Sequence, residues 1–136
     1  MTWRRSIEID GFKHSNPIPG ASIVGNLMMS SIIAGRDPKT GKLPETLDGQ
    51  LACLFAHVRA FVEAAGGTTN DIVKINFWLR PPHKRDAINA EWVKMFPHAQ
   101  SRPARHTQGL AGEGDALVQC DVTAVITTPA PVTSTK

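Results

Sequence analysis

Leu47, Leu51, Leu54, Phe55, Val58, Phe61, Val62 and Ala65 recur three and four residues apart, which places them on one face of a helix. The spacing predicts a helix over Leu47–Ala65, started near Pro44, Glu45 and Asp48 and stopped by Gly66-Gly67. Alternation then predicts a strand over Asp71–Arg80, with Ile72, Lys74, Asn76 and Trp78 on one side and Val73, Ile75, Phe77 and Leu79 on the other. Pro81-Pro82 breaks it, and Ile88, Trp92 and Met95/Phe96 form the inward side of a second helix over Lys84–Phe96. Ala116–Ile126 alternates again: Val118, Cys120, Val122 and Ala124 share one face, and Gln119, Asp121 and Thr123 the other. A first strand is expected over Ser6–Asp10, a long and largely buried strand over Ile23–Ile33, and a short one over Arg105–Leu110.

The connections carry their own signals. His14–Gly20 holds two prolines and reads as extended loop. Asp37-Pro38-Lys39-Thr40-Gly41 has aspartate, proline and glycine where a turn needs them. Gly109–Asp115 reads as a glycine-rich hairpin connection, and 127–136, rich in threonine and proline, as a mobile tail after a single domain spanning 1–126. The order β, β, α, β, α, β, β fits an α+β fold, a mixed sheet with two helices on one face. The other face presents Gln119, Asp121 and Thr123, too polar for a core and too apolar overall to stay wet, which predicts self-association.

Composition narrows the function classes. With 136 residues, 41% apolar and 20% charged, the chain suits one domain with a real core. No run approaches a membrane span, and no apolar stretch follows the basic N-terminus, so neither a membrane anchor nor a secretory signal is expected. Two cysteines, Cys53 and Cys120, make no disulfide framework or zinc cluster, and a reducing cytoplasm is the expected location. The +3 net charge is weak for a nucleic-acid binder. Arg4-Arg5 and Lys84-Arg85 lack interleaved aromatics and read as solvated surface charge.

Ser101-Arg102-Pro103-Ala104-Arg105-His106 is the densest chemical cluster. An arginine after a stiff Pro-Ala lead-in can present its planar fork to a carboxylate through two parallel bonds. A surface ion pair is the commoner fate of a lone arginine. Asp121, inside an apolar strand, needs a partner; it fits a water-holding base, a mate for Arg105, or a structural ion pair between subunits. His14, His57, His83, His98 and His106 show no metal-binding spacing, and His106 points away from Arg105.

Several fragments, taken in order, resemble the RidA/YjgF family of reactive-intermediate deaminases. They are Gly25-Asn26 through Ser31, Asp37-Pro38-Lys39-Thr40-Gly41, Gln50 leading the long helix to Ala64-Ala65-Gly66, and Asp71-Ile72-Val73-Lys74. Asn89 with Phe96-Pro97, Arg102-Pro103-Ala104-Arg105 and Gln119-Cys120-Asp121-Val122-Thr123-Ala124 complete the series, from about His14 to Ile126. The resemblance implies a chorismate-mutase-like fold and a homotrimer with clefts between subunits. It also implies hydrolysis of 2-imino and 2-enamino acids to 2-oxo acids and ammonia without metal or organic cofactor. It makes Arg105 the clamp on the substrate carboxylate and Asp121, one methylene shorter than the family's glutamate, the residue that holds water. Ser31 and Asn89 match cleft positions. Ile18 stands where the family has a tyrosine, and Ser31-Ile32-Ile33 where it has Ser-Gly-Gln, so the substrate-binding cleft is expected to be more apolar. Two other functions compete: a non-catalytic trimer binding a small carboxylate metabolite and, ranked last, a ribonuclease or translation inhibitor.

Overall fold

The structure, a computed structural model, describes residues 3–127. It contains strands β1 (Arg4–Ile7), β2 (Ala21–Val24), β3 (Leu27–Ser30), β4 (Ile33–Ala34), β5 (Ile72–Leu79), β6 (Ala104–Gly109) and β7 (Val118–Val125). Helices α1 (Leu47–Ala64) and α2 (Asn89–Met95) complete it, with single 3-10 turns at Thr69–Asp71 and Arg85–Ile88. One sheet runs β1-β2-β3-β7-β5-β6, and β4 pairs with β7 beside β3. Every pairing is antiparallel except β5 with β6. The α+β architecture, a mixed sheet with two helices on one face, is the one the pattern predicts.

The periodic stretch of α1 buries Leu51, Leu54, Val58, Phe61 and Val62 against the helix-side residues Ile75, Phe77, Val118, Cys120 and Val122. Thr46 rather than Pro44 caps the helix: its side chain accepts from the Gly49 amide at 3.0 Å. At the other end Gly66 takes a φ of +95°, open to glycine at little cost. Gln50 is buried in this apolar face because it is fully used. Its amide donates to the carbonyls of Pro44 at 2.9 Å and Asp115 at 3.1 Å, and its Oε1 accepts from the Leu117 amide at 2.8 Å. It thereby ties the loop before β7 to the helix.

Several boundaries differ from the sequence reading. The expected strand Ile23–Ile33 is a hairpin: β2 turns at Gly25-Asn26, where Gly25 has a φ of +60°, and pairs back with β3 from Val24 and Leu27. Apolar residues on both sides of the turn hid it, because the outer face of this hairpin is itself apolar. The first strand is Arg4–Ile7, not Ser6–Asp10, since its register is set by β2. Gly109–Asp115 is no hairpin connection. Strands β6 and β7 both pair with β5, so this loop crosses over β5. A register shift between Ile72 and Lys74 exposes Val73 and buries Ile72, reversing the predicted sides at that end of β5. The second helix starts with a 3-10 turn before α2. Thr127, assigned to the tail, is held by Asp71, whose Oδ1 accepts from its amide at 3.1 Å and from its hydroxyl. The rest of that tail lies outside the described residues.

Candidate functional site

Arg105 sits on β6, at the sheet edge, in register with Ile75. Ile75 faces the helices, so Arg105 does too, and it lands on α2. Its guanidinium lies over the Trp92 ring, 5.0 Å from the centroid, and its Nη1 donates to Asn89 Oδ1 at 2.9 Å. Trp92 is in turn packed edge-on by Phe77 and Phe96. Arg105 and Asn89, both predicted for the site, are thus brought together, and Trp92 supplies the platform. Partial burial, and next the nearby charge of Arg85, lower the Arg105 pKa from its usual value. No carboxylate reaches it: among the described residues the ion pair within 4.0 Å is Lys94 with Glu91, at 3.4 Å.

Asp121 lies elsewhere. Its β7 position pairs with Asn76 on β5, on the face away from the helices, where Asn76 Nδ2 donates to Asp121 Oδ1 at 3.0 Å. The reading of Asp121 as a mate for Arg105 is corrected for a single chain: β7 does not pair with β6. Strand β5 lies between the two, and the side chains project from opposite faces of the sheet. Within one chain they cannot address one substrate.

Three of the remaining predicted residues, Ser31, Ile32 and Ile33, lie along the stretch of chain facing β7 near Asp121. Strand β3 ends its pairing at Met29 with Thr123, and β4 resumes at Ile33 with Cys120. Ser30, Ser31 and Ile32 therefore lie opposite Asp121 and Val122, and Ser30 Oγ accepts from the Val122 amide at 2.9 Å. The Ser31 hydroxyl donates to the Pro19 carbonyl at 2.8 Å, which pins Ile18 and its loop to this break. Ile18 and Ile32 are 47% and 39% exposed. Ile33 is a correction: paired with core-facing Cys120, it is 0% exposed and belongs to the core, not to a cleft. Beside Ile32, a cleft of about 760 Å³ is lined by Phe12, His14, Ala34, Arg36 and Gln119 among others. His14 Nε2 lies 3.0 Å from the Ile32 carbonyl.

Asn76 and His14 gave no signal in the sequence, because their importance comes from cross-strand register and loop return. Trp92 was legible only as an inward residue. Among the described residues no group of three or more His, Cys, Asp or Glu side chains could hold a metal ion, and no helix is long and apolar enough to cross a membrane.

The geometry defines an α+β domain with the Arg105 guanidinium at its sheet edge and the Asp121 carboxylate on the opposite face of the sheet. The Endoribonuclease L-PSP family pattern matches residues 15–126, and the chain belongs to that family, the RidA/YjgF group. A RutC family protein of Aquifex aeolicus is 31% identical over 94 residues, 69% of this chain and 75% of that protein. A protein of Escherichia coli K12 named 2-iminobutanoate/2-iminopropanoate deaminase is 32% identical over 83 residues, 60% of this chain and 65% of that protein. A RutC family protein of Haemophilus influenzae is 32% identical over 80 residues, 59% of this chain, so this chain spans 62% of its length. Among solved structures, RidA from an Antarctic Psychrobacter superposes with a TM-score of 0.80 at 28% identity, covering 90% of this chain and 99% of that one.

Proposed function

We propose that the chain is a hydrolytic deaminase of 2-imino and 2-enamino acids, working in clefts between copies of itself. The observation that carries this reading is Arg105: oriented by Asn89 and Trp92, and without an acidic partner among the described residues. A guanidinium so placed suits a carboxylate from outside the chain. Asp121, Ser31, Ile18 and Ile32 form the other half-site, and a second copy brings the halves together. The open face supports such association, since Val24, Leu27 and Met29 are 52%, 45% and 55% exposed there. A homotrimer is the assembly its family resemblance favours.

In this reaction the Arg105 fork takes the substrate carboxylate and fixes the imine carbon within reach of water held by Asp121. The water oxygen forms a bond to that carbon as Asp121 accepts its proton, and the C=N π pair moves to nitrogen. The nitrogen then takes the proton held by Asp121 and a second from the new hydroxyl, the C–N bond breaks, and ammonia leaves as C=O forms. Imine plus water gives 2-oxo acid plus ammonia. An enamine enters the same sequence after protonation at carbon.

The test generates imino acids with an amino-acid oxidase and traps them with semicarbazide. Added protein should cut the trapped product, and Arg105→Ala should remove that effect while the protein stays folded. Unchanged trapping for every amino acid would sink the reading. A non-catalytic carboxylate-binding trimer is the second reading. It is favoured by exposed Ile18 and Ile32, which leave the acidic half-site poor in polar groups; saturable binding of 2-oxo acids without turnover would establish it. A ribonuclease, as the family description has it, lacks support from any histidine pair.

A further inference from the structure

The cleft of about 760 Å³ beside Ile32 plays no part in the proposed reaction, yet it opens next to the residue proposed to hold water. Gln119, which lines it, lies two residues from Asp121 on β7, on the same face of the sheet and about 6.5–7 Å along the strand. Ala34, another lining residue, is the β4 partner of Gln119. Ile32 precedes Ala34 by two residues and lines the cleft as well. The cleft thus starts one side-chain step along β7 from Asp121. Its interior is apolar, with Ile9, Phe12 and Ala34 half-buried in it. The charged residues that line it, Asp10, Lys13 and Arg36, are all exposed and form its rim.

Both walls are held by the core. Phe12 packs edge-on against Phe61 and His57 of α1, with ring centroids 5.1 and 5.3 Å apart, and against His14 at 5.2 Å. A carbonyl oxygen only accepts, so His57 Nε2 donates to the Arg36 carbonyl at 2.7 Å, and His14 Nε2 to that of Ile32 at 3.0 Å. His57 is 3% exposed. This one buried side chain fixes the loop of Phe12 on one side and the chain at Arg36 on the other, and the cleft is preformed. A preformed, largely apolar cleft of this size suits the apolar part of a ligand. A methyl or ethyl group would leave most of the volume to water, which a larger apolar group displaces favourably.

We propose that this cleft is the side-chain subsite, and that the preferred substrates are 2-imino acids with a bulky apolar side chain, branched or aromatic, hydrolysed to the matching 2-oxo acids and ammonia. The inference rests on the proposed role of Asp121 in holding water, which puts the imine carbon beside Asp121. The substrate side chain then extends over Ile32 and Ala34 toward Phe12. Ala34, whose side chain ends at a methyl, sets the space left above β4.

The experiment has two arms. In one, imines made by oxidases from phenylalanine or leucine are compared with those from alanine or 2-aminobutanoate. In the other, calorimetry measures binding of 3-phenyl-2-oxopropanoate and 2-oxobutanoate. The wild type should favour the bulky member by about tenfold or more in kcat/KM and in affinity, the scale of a few extra buried carbon atoms. Ala34→Phe fills the cleft and should lower the ratio of bulky to small by about tenfold. Ala34→Val, a smaller step, should lower it in the same direction by less, and carries the test if the phenylalanine variant does not fold. A wild type indifferent to size overturns the proposal, as does a ratio that the folded Ala34 variants leave unmoved, which would put the side chain elsewhere. Turnover of imines without a size preference removes this inference and leaves the deaminase reading intact. Size-selective binding that the Ala34 variants weaken, without turnover of any imine, does the reverse.

Discussion

Asp121 accepts one hydrogen bond from Asn76, and that bond sets which carboxylate oxygen faces outward. If Asp121 takes the proton from water, Asp121→Asn should lower kcat about a hundredfold while 2-oxo acid binding holds. Asn76→Ala should lower kcat less, about tenfold, with KM nearly unchanged, because the base is still present but free to rotate. Steady-state kinetics on the oxidase-coupled assay checks both. Cys120 offers a different readout. Burial first, and Asp121 next, push its thiol well above the ordinary range, and burial raises Cys53 as well. A thiol whose pKa is raised by folding favours the native state below its unfolded pKa of about 8.5, and that contribution fades as pH climbs above it. Urea stability should therefore decline from about pH 8.5 upward, and less steeply in Cys120→Ala. A slope unchanged by the substitution would place the effect elsewhere.

At the scale of elements, two glycines separate strain from collision. Gly25 makes the β2–β3 turn with a φ of +60°, and a Cβ there meets nothing within 4 Å. Gly25→Ala should cost only the left-handed backbone, about 1 kcal/mol. Gly35 is different: an added Cβ would lie 2.1 Å from the Gln50 carbonyl oxygen in α1. Backbone must move, and Gly35→Ala should cost about 3 kcal/mol or more. Urea midpoints with unchanged slopes distinguish the two. Gln50→Leu keeps the bulk but orphans the Leu117 amide and two carbonyls, an expected loss of about 2–3 kcal/mol. The long periodic helix and the strand over β7 were legible because one face of each is buried. The Gly25-Asn26 hairpin was not, because its outer face is apolar and periodicity cannot tell a covered face from a folded one.

For the whole molecule, the separation of Arg105 from Asp121 makes assembly a condition of activity in the proposed reaction. Met29→Lys combined with Val24→Lys places charge on the exposed apolar face without entering the core. The double variant should sediment as a smaller species, keep its circular dichroism spectrum, and lose most of the proposed deaminase activity. Full activity in a monomer would overturn the shared cleft.

Local chemistry settled what local chemistry can settle. Helical and alternating periodicity placed α1, β5 and β7, the Asp37–Gly41 turn followed from its residue types, and the ordered fragments from Gly25 to Ala124 carried the family. Whether a residue reaches another across the sheet is a matter of strand order and register, which no single stretch encodes. The fold alone decided that β5 divides Arg105 from Asp121 and that Ile33 turns into the core. It alone brought Asn76 to Asp121 and Asn89 to Arg105.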